Sequence, residues 1–402
     1  MSWKGTQNRS RIPTLNCQAY TLEKVPASSC HHHRTPMAPS LTPHFLAEAE
    51  LISPSVYPIK SKPSPSQGIE PNESYSSRHP YRWSIVWRNV LAFVYLHLGA
   101  SYAIYLMFFN QVQLKTILYM LFVGFISGEG VTAGAHRLWA HRTYSAKWPL
   151  RLILMLANSM AFQNHLYEWV RDHRVHHKFT DTDADPHNSR RGFFFSHMGW
   201  LMVRKHPDVK RRGATVDLSD LEKDWVVMFQ KKYYLILMPI FCFLIPPLIP
   251  WYFWNEKWTN AWYVCALLRY TVSLHGTWLV NSAAHIWGMR PYDKHISSSE
   301  NSSVAFLAFG EGWHNYHHTF PWDYKAAELG NYRLNLTTAI IDMFAWIGWA
   351  YDLKTASPEM VSRRVARTGD GTRHGHSHEN QVWGWNDEDL TEEDRMLAEQ
   401  TH

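Results

Sequence analysis

Four apolar runs, at residues 89–109, 116–135, 233–254 and 261–280, have about the 20 residues a helix needs to cross a bilayer. Short breaks at 110–115 and 255–260 join them in two pairs. In lipid every backbone N–H and C=O must be satisfied within the protein, so such runs are expected to be helices. The chain therefore reads as an all-α integral membrane protein with four transmembrane helices in two hairpins. The third run holds Pro239, Pro246, Pro247 and Pro250, which predicts a kink. Two shorter apolar stretches, 150–162 and 336–351, read as interfacial helices.

The mean hydropathy of −0.33 averages unlike parts. Residues 1–80 are polar and rich in Ser, Pro and His and read as a disordered tail. Residues 81–355 form the expected membrane domain, and 356–402 a charged C-terminal tail. With four crossings, both tails and the 136–232 segment share one side. Of 40 Lys and Arg, only Lys115, Lys257 and Arg269 fall elsewhere, so that side is expected to be cytosolic. No apolar core precedes residue 83, so no signal peptide is expected. The sequons at Asn8, Asn72, Asn301 and Asn335 should then be unused. Cys17, Cys30, Cys242 and Cys265 are scattered without a CxxC, which fits a reducing compartment. The net charge of +6 suits lipid headgroups, anionic cofactors or an acidic protein partner, and no nucleic-acid partner is expected.

Eight of the 25 His fall in three clusters: His136-Arg-Leu-Trp-Ala-His141, His173-Arg-Val-His176-His177 and His314-Asn-Tyr-His317-His318. His285 follows the fourth run. Each group lies just past an apolar or helical stretch, on the expected cytosolic side. Positions i, i+3 and i+4 share a helix face, so each of the last two clusters points its rings one way. His136 and His141 are five apart and diverge by about 140° on a straight α-helix. They converge only if the helix frays or bends, or if a metal lies across its end. Imidazole binds iron, copper, zinc or nickel. Nine rings exceed a four-coordinate zinc site and suit two metals. His165, His187, His197, His206, His275 and His295 read as ordinary surface or core residues, and His31–His33 and His374–His378 as tail residues.

The strings HRLWAH, HRVHH and HNYHH, with Asn281-Ser-Ala-Ala-His285, resemble the histidine boxes of membrane fatty acyl-CoA desaturases, the animal stearoyl-CoA Δ9 type in particular. The likeness extends through residues 164–172 (NHLYEWVRD), 185–206, 278–288 and 311–324, and covers about 80–355. It is similar, more weakly, at Arg367–Thr372 (RTGDGT) and 382–387 (VWGWND), which carry no assigned chemistry.

The resemblance implies a cytosolic helical cap carrying a histidine-ligated di-iron site, with two Fe2+. It assigns His136, His141, His173, His177 and His317 to one iron. His176, His285, His314 and His318 go to the other, with Asn281 a water-mediated contact. It implies O2-dependent insertion of a cis double bond, Δ9 by type, into a fatty acyl-CoA in the endoplasmic reticulum membrane. Electrons would come from cytochrome b5 and its reductase. Substrate contacts are expected from Asn89, Asn164, Arg171, Asp172, Arg204, Lys205 and Trp278. His165 departs from the family, which more often has an acid there. Asp181, Asp183 and Asp185 read either as acceptors orienting ring nitrogens or as a solvated loop. Gly124 and Gly128, at i and i+4, read either as helix packing or as space at the end of an acyl tunnel. Alternatives are a hydroxylase or different-position desaturase on the same scaffold, a non-catalytic metal-binding membrane protein, and a metal transporter. A transporter predicts ligands inside the bilayer, which the boxes are not.

Overall fold

The computed structural model describes residues 83–328, 334–373 and 396. The expected N-terminal tail, residues 374–395 and 397–402, Cys17, Cys30 and the sequons at Asn8 and Asn72 lie outside the described residues. The described chain is mostly helical. Three helices are long and apolar enough to cross a membrane: Trp87–Phe108, Leu114–Ala140 and Trp225–Trp254. They contain the second and third expected runs and all of the first but its last residue, Phe109. Their outer faces expose Leu98, Leu118, Leu235 and Phe253, the apolar surface a lipid environment favours.

The fourth expected run, 261–280, lies in an unbroken helix of residues 258–281 that is not among those apolar enough to span alone. The reason is its position. Its Val264, Cys265, Ala266, Leu267, Leu268, Arg269, Tyr270 and Thr271 are all buried, between the first and second long helices. A helix surrounded by protein can carry polar side chains that a lipid-facing helix cannot.

Proline shapes the third long helix. Between Pro239 and Leu244 it widens to i→i+5 hydrogen bonding. The Cys242 carbonyl would normally accept from residue 246 in α geometry, or 247 in the wider one, and both are proline. Arg269 supplies the missing donor. Its guanidinium gives 2.9 Å to Cys242 O and 3.2 Å to Cys242 Sγ. It also gives 3.2 Å to Met160 O, 3.4 Å to Ser127 Oγ and 3.0 Å to Cys265 O. One buried cation thus bonds groups on four helices and satisfies the orphaned Cys242 carbonyl, the manner in which proline is tolerated in a membrane bundle.

The expected interfacial stretches are the helices Trp148–Ala161 and Leu336–Trp346. The first packs so closely on the second long helix that a Cβ at Gly130 would lie 2.2 Å from Asn158 N. The second leaves Trp346 85% exposed. One small sheet departs from the all-α expectation: Ser145–Ala146 pairs antiparallel with Ala350–Tyr351. It fastens the segment after the first histidine cluster to the one after the Leu336–Trp346 helix.

Arg269→Met keeps the stem and deletes every donor. The expected cost is about 2–3 kcal/mol, the scale of buried hydrogen bonds to a charged group. It should appear as a lower unfolding midpoint in detergent. An unchanged midpoint would mean that the Cys242 carbonyl finds another donor.

Candidate metal centre

The five-residue spacing of the first cluster is resolved by helix geometry. Over Gly130–Ala140 the second long helix hydrogen-bonds i→i+5, and His141 N donates to His136 O at 3.1 Å. In such a widened turn residues five apart stack on one face, so the expected divergence disappears without fraying. The two rings then lie 4.9 Å apart, centroid to centroid.

The helix Leu166–Phe179 carries His173, His176 and His177, and the helix His314–Thr319 carries His314, His317 and His318. His285 sits in the short turn Ala283–Ile286. Together the nine rings form two groups: His136, His141, His173, His177 and His317, and His176, His285, His314 and His318. Within the first, Nε2 pairs are 2.9 Å (His136–His317), 2.8 Å (His141–His173) and 3.0 Å (His177–His317) apart. Within the second they are 3.3 Å (His176–His318), 3.0 Å (His285–His314) and 3.0 Å (His314–His318) apart.

The opposite ring nitrogens decide what those Nε2 atoms are. His136 Nδ1 lies 2.8 Å from Glu311 Oε2, and His176 Nδ1 3.0 Å from Asp185 Oδ2. His285 Nδ1 lies 3.1 Å from Ser297 Oγ and 4.0 Å from Asp181 Oδ2. A proton held on Nδ1 leaves Nε2 as a bare lone pair. Burial, then the neighbouring imidazoles, hold His173, His177, His314, His317 and His318 well below the ordinary histidine pKa. They are neutral at neutral pH, the form that binds metal. Lone pairs about 3 Å apart repel unless a cation lies between them, and about 3 Å is an octahedral edge for metal–nitrogen bonds of about 2.1 Å. The residues present therefore fit two metal ions.

The frame around the rings has a pattern that the sequence reading missed. In each cluster the residue after the first His is turned off the ligand face and is buried. Arg137 bonds Glu311, the Tyr324 and Lys325 carbonyls, Asn335 and Thr338. Arg174 reaches the Trp139 and Ala140 carbonyls at the end of the first cluster's helix and grips Asp220. Asn315 accepts from Tyr292 N and Asp293 N and donates to Asp293 O and Ser298 O. Glu311 was missed as well. Its spacing, Glu311-Gly-Trp-His314, is a Glu-x-x-His pair, but the carboxylate faces Arg137 and His136 Nδ1. Burial would raise its pKa, yet those two neighbours draw it down to about 2, so it is an ionised acceptor.

Of the three aspartates, Asp185 is buried and ionised. Burial opposes its charge, but His176 and His187 outweigh that. Asp181 is buried beside Ser297 and Ser189, while Asp183 is exposed and paired to Arg191. Two histidines expected to be ordinary are linked to each other and to His97: His197 Nε2 lies 2.9 Å from His275 Nδ1, and His275 Nε2 3.1 Å from His97 Nε2. Buried His187 forms a third group with Asp185 and His176. Asn335 is buried against Arg137, which by itself would keep its sequon from use.

Two cavities meet at the rings. One, of about 840 Å³, is lined by Asn89, Asn164, Asp172 and Trp278. Arg171 and Lys205 pair with Glu168 and Asp172 at its edge, and the Arg204 backbone bonds Ser84 O. The other, of about 450 Å³, is lined by His136, His176, His314, Gly124 and Phe309. Gln163, Trp169, His173, Thr277 and Asn281 border both, and Gln163 Nε2 donates to Thr277 Oγ1 at 2.9 Å. A Cβ on Gly124 would meet only Arg269 Cγ, at 3.7 Å, whereas one on Gly128 would lie 2.4 Å from the Phe309 ring. Gly124 thus faces open space and Gly128 is packed.

The family model described as fatty acid desaturase matches residues 114–345. A protein of Acheta domesticus named acyl-CoA Delta-9 desaturase is 61% identical over 361 residues, 89% of this chain and 97% of its own length. A second, named acyl-CoA Delta12-desaturase, is 57% identical across 82% of this chain and 90% of its own length. A Spodoptera littoralis protein named acyl-CoA Delta(11) desaturase is 55% identical across 78% and 89%. The chain belongs to the fatty acid desaturase family.

Asp185→Asn and Glu311→Gln keep the shape of the side chains but remove the anionic acceptor from an Nδ1–H. Each should weaken metal binding by about 10–100-fold. Metal content after dialysis against graded free metal is the measurement, and wild-type retention by both variants would contradict the relay.

Proposed function

We propose that this family member is a di-iron acyl-CoA desaturase of the endoplasmic reticulum membrane, converting a saturated fatty acyl-CoA to its cis-Δ9 alkene. Electrons come from cytochrome b5 and its reductase. The observation that carries this reading is the junction of the two cavities against two sets of converging Nε2 lone pairs. His136, His141, His173, His177 and His317 hold one Fe2+. His176, His285, His314 and His318 hold the other, with Asn281 contacting it through water. Helix 258–281 is the fourth crossing, inside the bundle, and both termini are cytosolic with the helical cap.

Bound iron with O2 supplies the oxidant that no side chain can supply for an unactivated C–H bond. The balance is one acyl CH2–CH2 unit, O2, two electrons and two protons, giving CH=CH and two waters. The chain's own residues do the rest. Asn89, Asn164, Asp172 and Trp278 receive the pantetheine and thioester end. Arg171, Arg204 and Lys205 meet the CoA phosphates, the first and last by exchanging carboxylate partners for phosphate. The Gln163–Thr277 bridge and Trp169 bend the alkyl chain so that one methylene pair faces the rings. The apolar walls exclude water. Δ9 is supported by the resemblance to the stearoyl-CoA type and by the 61% identity to the cricket Δ9 protein. The relatives named for positions 11 and 12 share the scaffold, so depth, not chemistry, separates them.

Expressed in a desaturase-deficient microbial host, the chain should restore cis-9 alkenes, identified by position after derivatisation. His136→Ala and His285→Ala should abolish them and lose iron from a wild-type content of two per chain. Alkenes at another position would reject the Δ9 assignment, and activity without iron the di-iron one. Gly124→Tyr should fill the 450 Å³ cavity and shift preference toward chains shorter than about 18 carbons, with iron content unchanged. The measurement is competition among acyl-CoAs of graded length. An identical length profile would show that the acyl end does not reach Gly124.

A further inference from the structure

The string Arg367–Thr372 resembles its family without carrying assigned chemistry. It lies at the end of the helix Pro358–Thr368, and together they form a strap over residues 288–298. Lys294 N donates to Thr368 O at 2.8 Å and Asp370 N to Arg290 O at 3.1 Å. Thr368 Oγ1 donates to Tyr292 O at 2.6 Å. The Asp370 carboxylate accepts from Arg290 N at 2.5 Å and from Thr372 N at 2.8 Å. Arg364 pairs with Asp293 at 2.5 Å. Gly369 is pressed so near that an added Cβ would lie 2.4 Å from Pro291 O. Met360 and Val361 bury against Tyr292, Tyr316, Phe320 and Trp322.

What the strap holds leads to the rings. Arg290, clasped on both backbone sides by Asp370, donates from Nε to Ser297 O at 3.3 Å. Ser297 Oγ is the acceptor for His285 Nδ1 at 3.1 Å. The path from Asp370 to His285 is therefore continuous: Asp370, Arg290, Ser297, His285. A second path, Arg364–Asp293–Asn315, enters the helix His314–Thr319, which carries His314 and His318 of this group and His317 of the first.

We propose that the C-terminal strap sets the metal affinity of the group His176, His285, His314 and His318, with Asp370 as its positioning residue. This rests on the two-metal reading. With the strap fastened, Ser297 is fixed and the His285 ring keeps its proton on Nδ1 and its lone pair toward the other three Nε2 atoms. With the strap released, residues 288–298 lose their clasp, Ser297 shifts, and His285 is free to turn. The first group keeps its frame through Glu311, Arg137 and Arg174.

The test uses full-length protein in detergent, stripped of metal and titrated anaerobically with ferrous iron, counting iron per chain. Wild type should bind two. Asp370→Ala and Gly369→Val should bind one at concentrations that fill both wild-type positions, the second needing about 10–100-fold more iron. Their metal-free unfolding midpoints should match wild type. Ser297→Ala should behave the same way, and Asp370→Asn, which keeps an acceptor for Arg290 N, should stay near wild type. Two irons at wild-type affinity in both strap variants overturns the proposal while leaving the two-metal reading standing. So does equal loss of both irons with a lowered metal-free midpoint. A wild type that binds fewer than two irons overturns the two-metal reading itself, and the strap with it.

Discussion

Everything in the cap serves one electrostatic demand: nine imidazoles must aim lone pairs at two points without a proton between them. Such a set gains nothing from packing alone. Nitrogens about 3 Å apart would sooner rotate away or share a proton, so the fold has to hold rings in place by packing and from their far side. Glu311, Asp185 and Ser297 do this for His136, His176 and His285 by accepting from Nδ1. The carboxylates are in turn held ionised by buried cations and hydrogen bonds. Arg137 is the clearest case, a fully buried guanidinium whose donors all end on groups around the first histidine cluster. A frame of this kind is expensive to bury and makes sense only where ring orientation matters more than stability.

The membrane bundle meets a second demand, the satisfaction of backbone groups in the absence of water. Prolines in the third long helix strip donors from the Cys242 carbonyl, and Arg269 restores them from the neighbouring helix. The same residue borders the 450 Å³ cavity. Because its donors are all engaged by protein, it presents an alkyl stem rather than a bare charge to that space, which keeps the wall compatible with a hydrocarbon. Backbone repair and cavity lining are thus one side chain's work.

Much of this was legible in the sequence, and the parts that were not share a cause. Apolar runs and histidine spacing are local patterns, so the long helices and the ring clusters could be read directly. The His136–His141 problem could be posed but not solved, because spacing assumes an α-helix and the helix there is widened. The burial of helix 258–281 was hidden because composition does not say which helix neighbours take. Glu311, Arg137, Arg174 and Asn315 act across 20 to 200 residues of sequence, where no periodicity links them. The recurring polar residue after the first His of each cluster was the available signal. Gly124 and Gly128 looked equivalent by spacing and are not, since Phe309 arrives from a distant loop in a left-handed conformation, at φ 57°, and fills the second.

The division of the interior into two cavities separates two properties that a single straight tunnel would couple. On the proposed function, an alkyl chain whose head lay against Asn89, Asn164 and Asp172 would reach the Gln163–Thr277 bridge after a set number of carbons. That number is a property of the larger cavity. The carbons beyond the bridge would enter the space bordered by Gly124 and Phe309, whose depth would not alter which methylenes lie at the rings. A substitution on the head side should therefore move the reacting carbons, and one on the tail side should change only which chain lengths fit. Relatives whose names differ in double-bond position but share more than half their residues with this chain are what such a design permits. A few residues between head and bend can be retuned while the rings, their carboxylates and the tail cavity stay as they are.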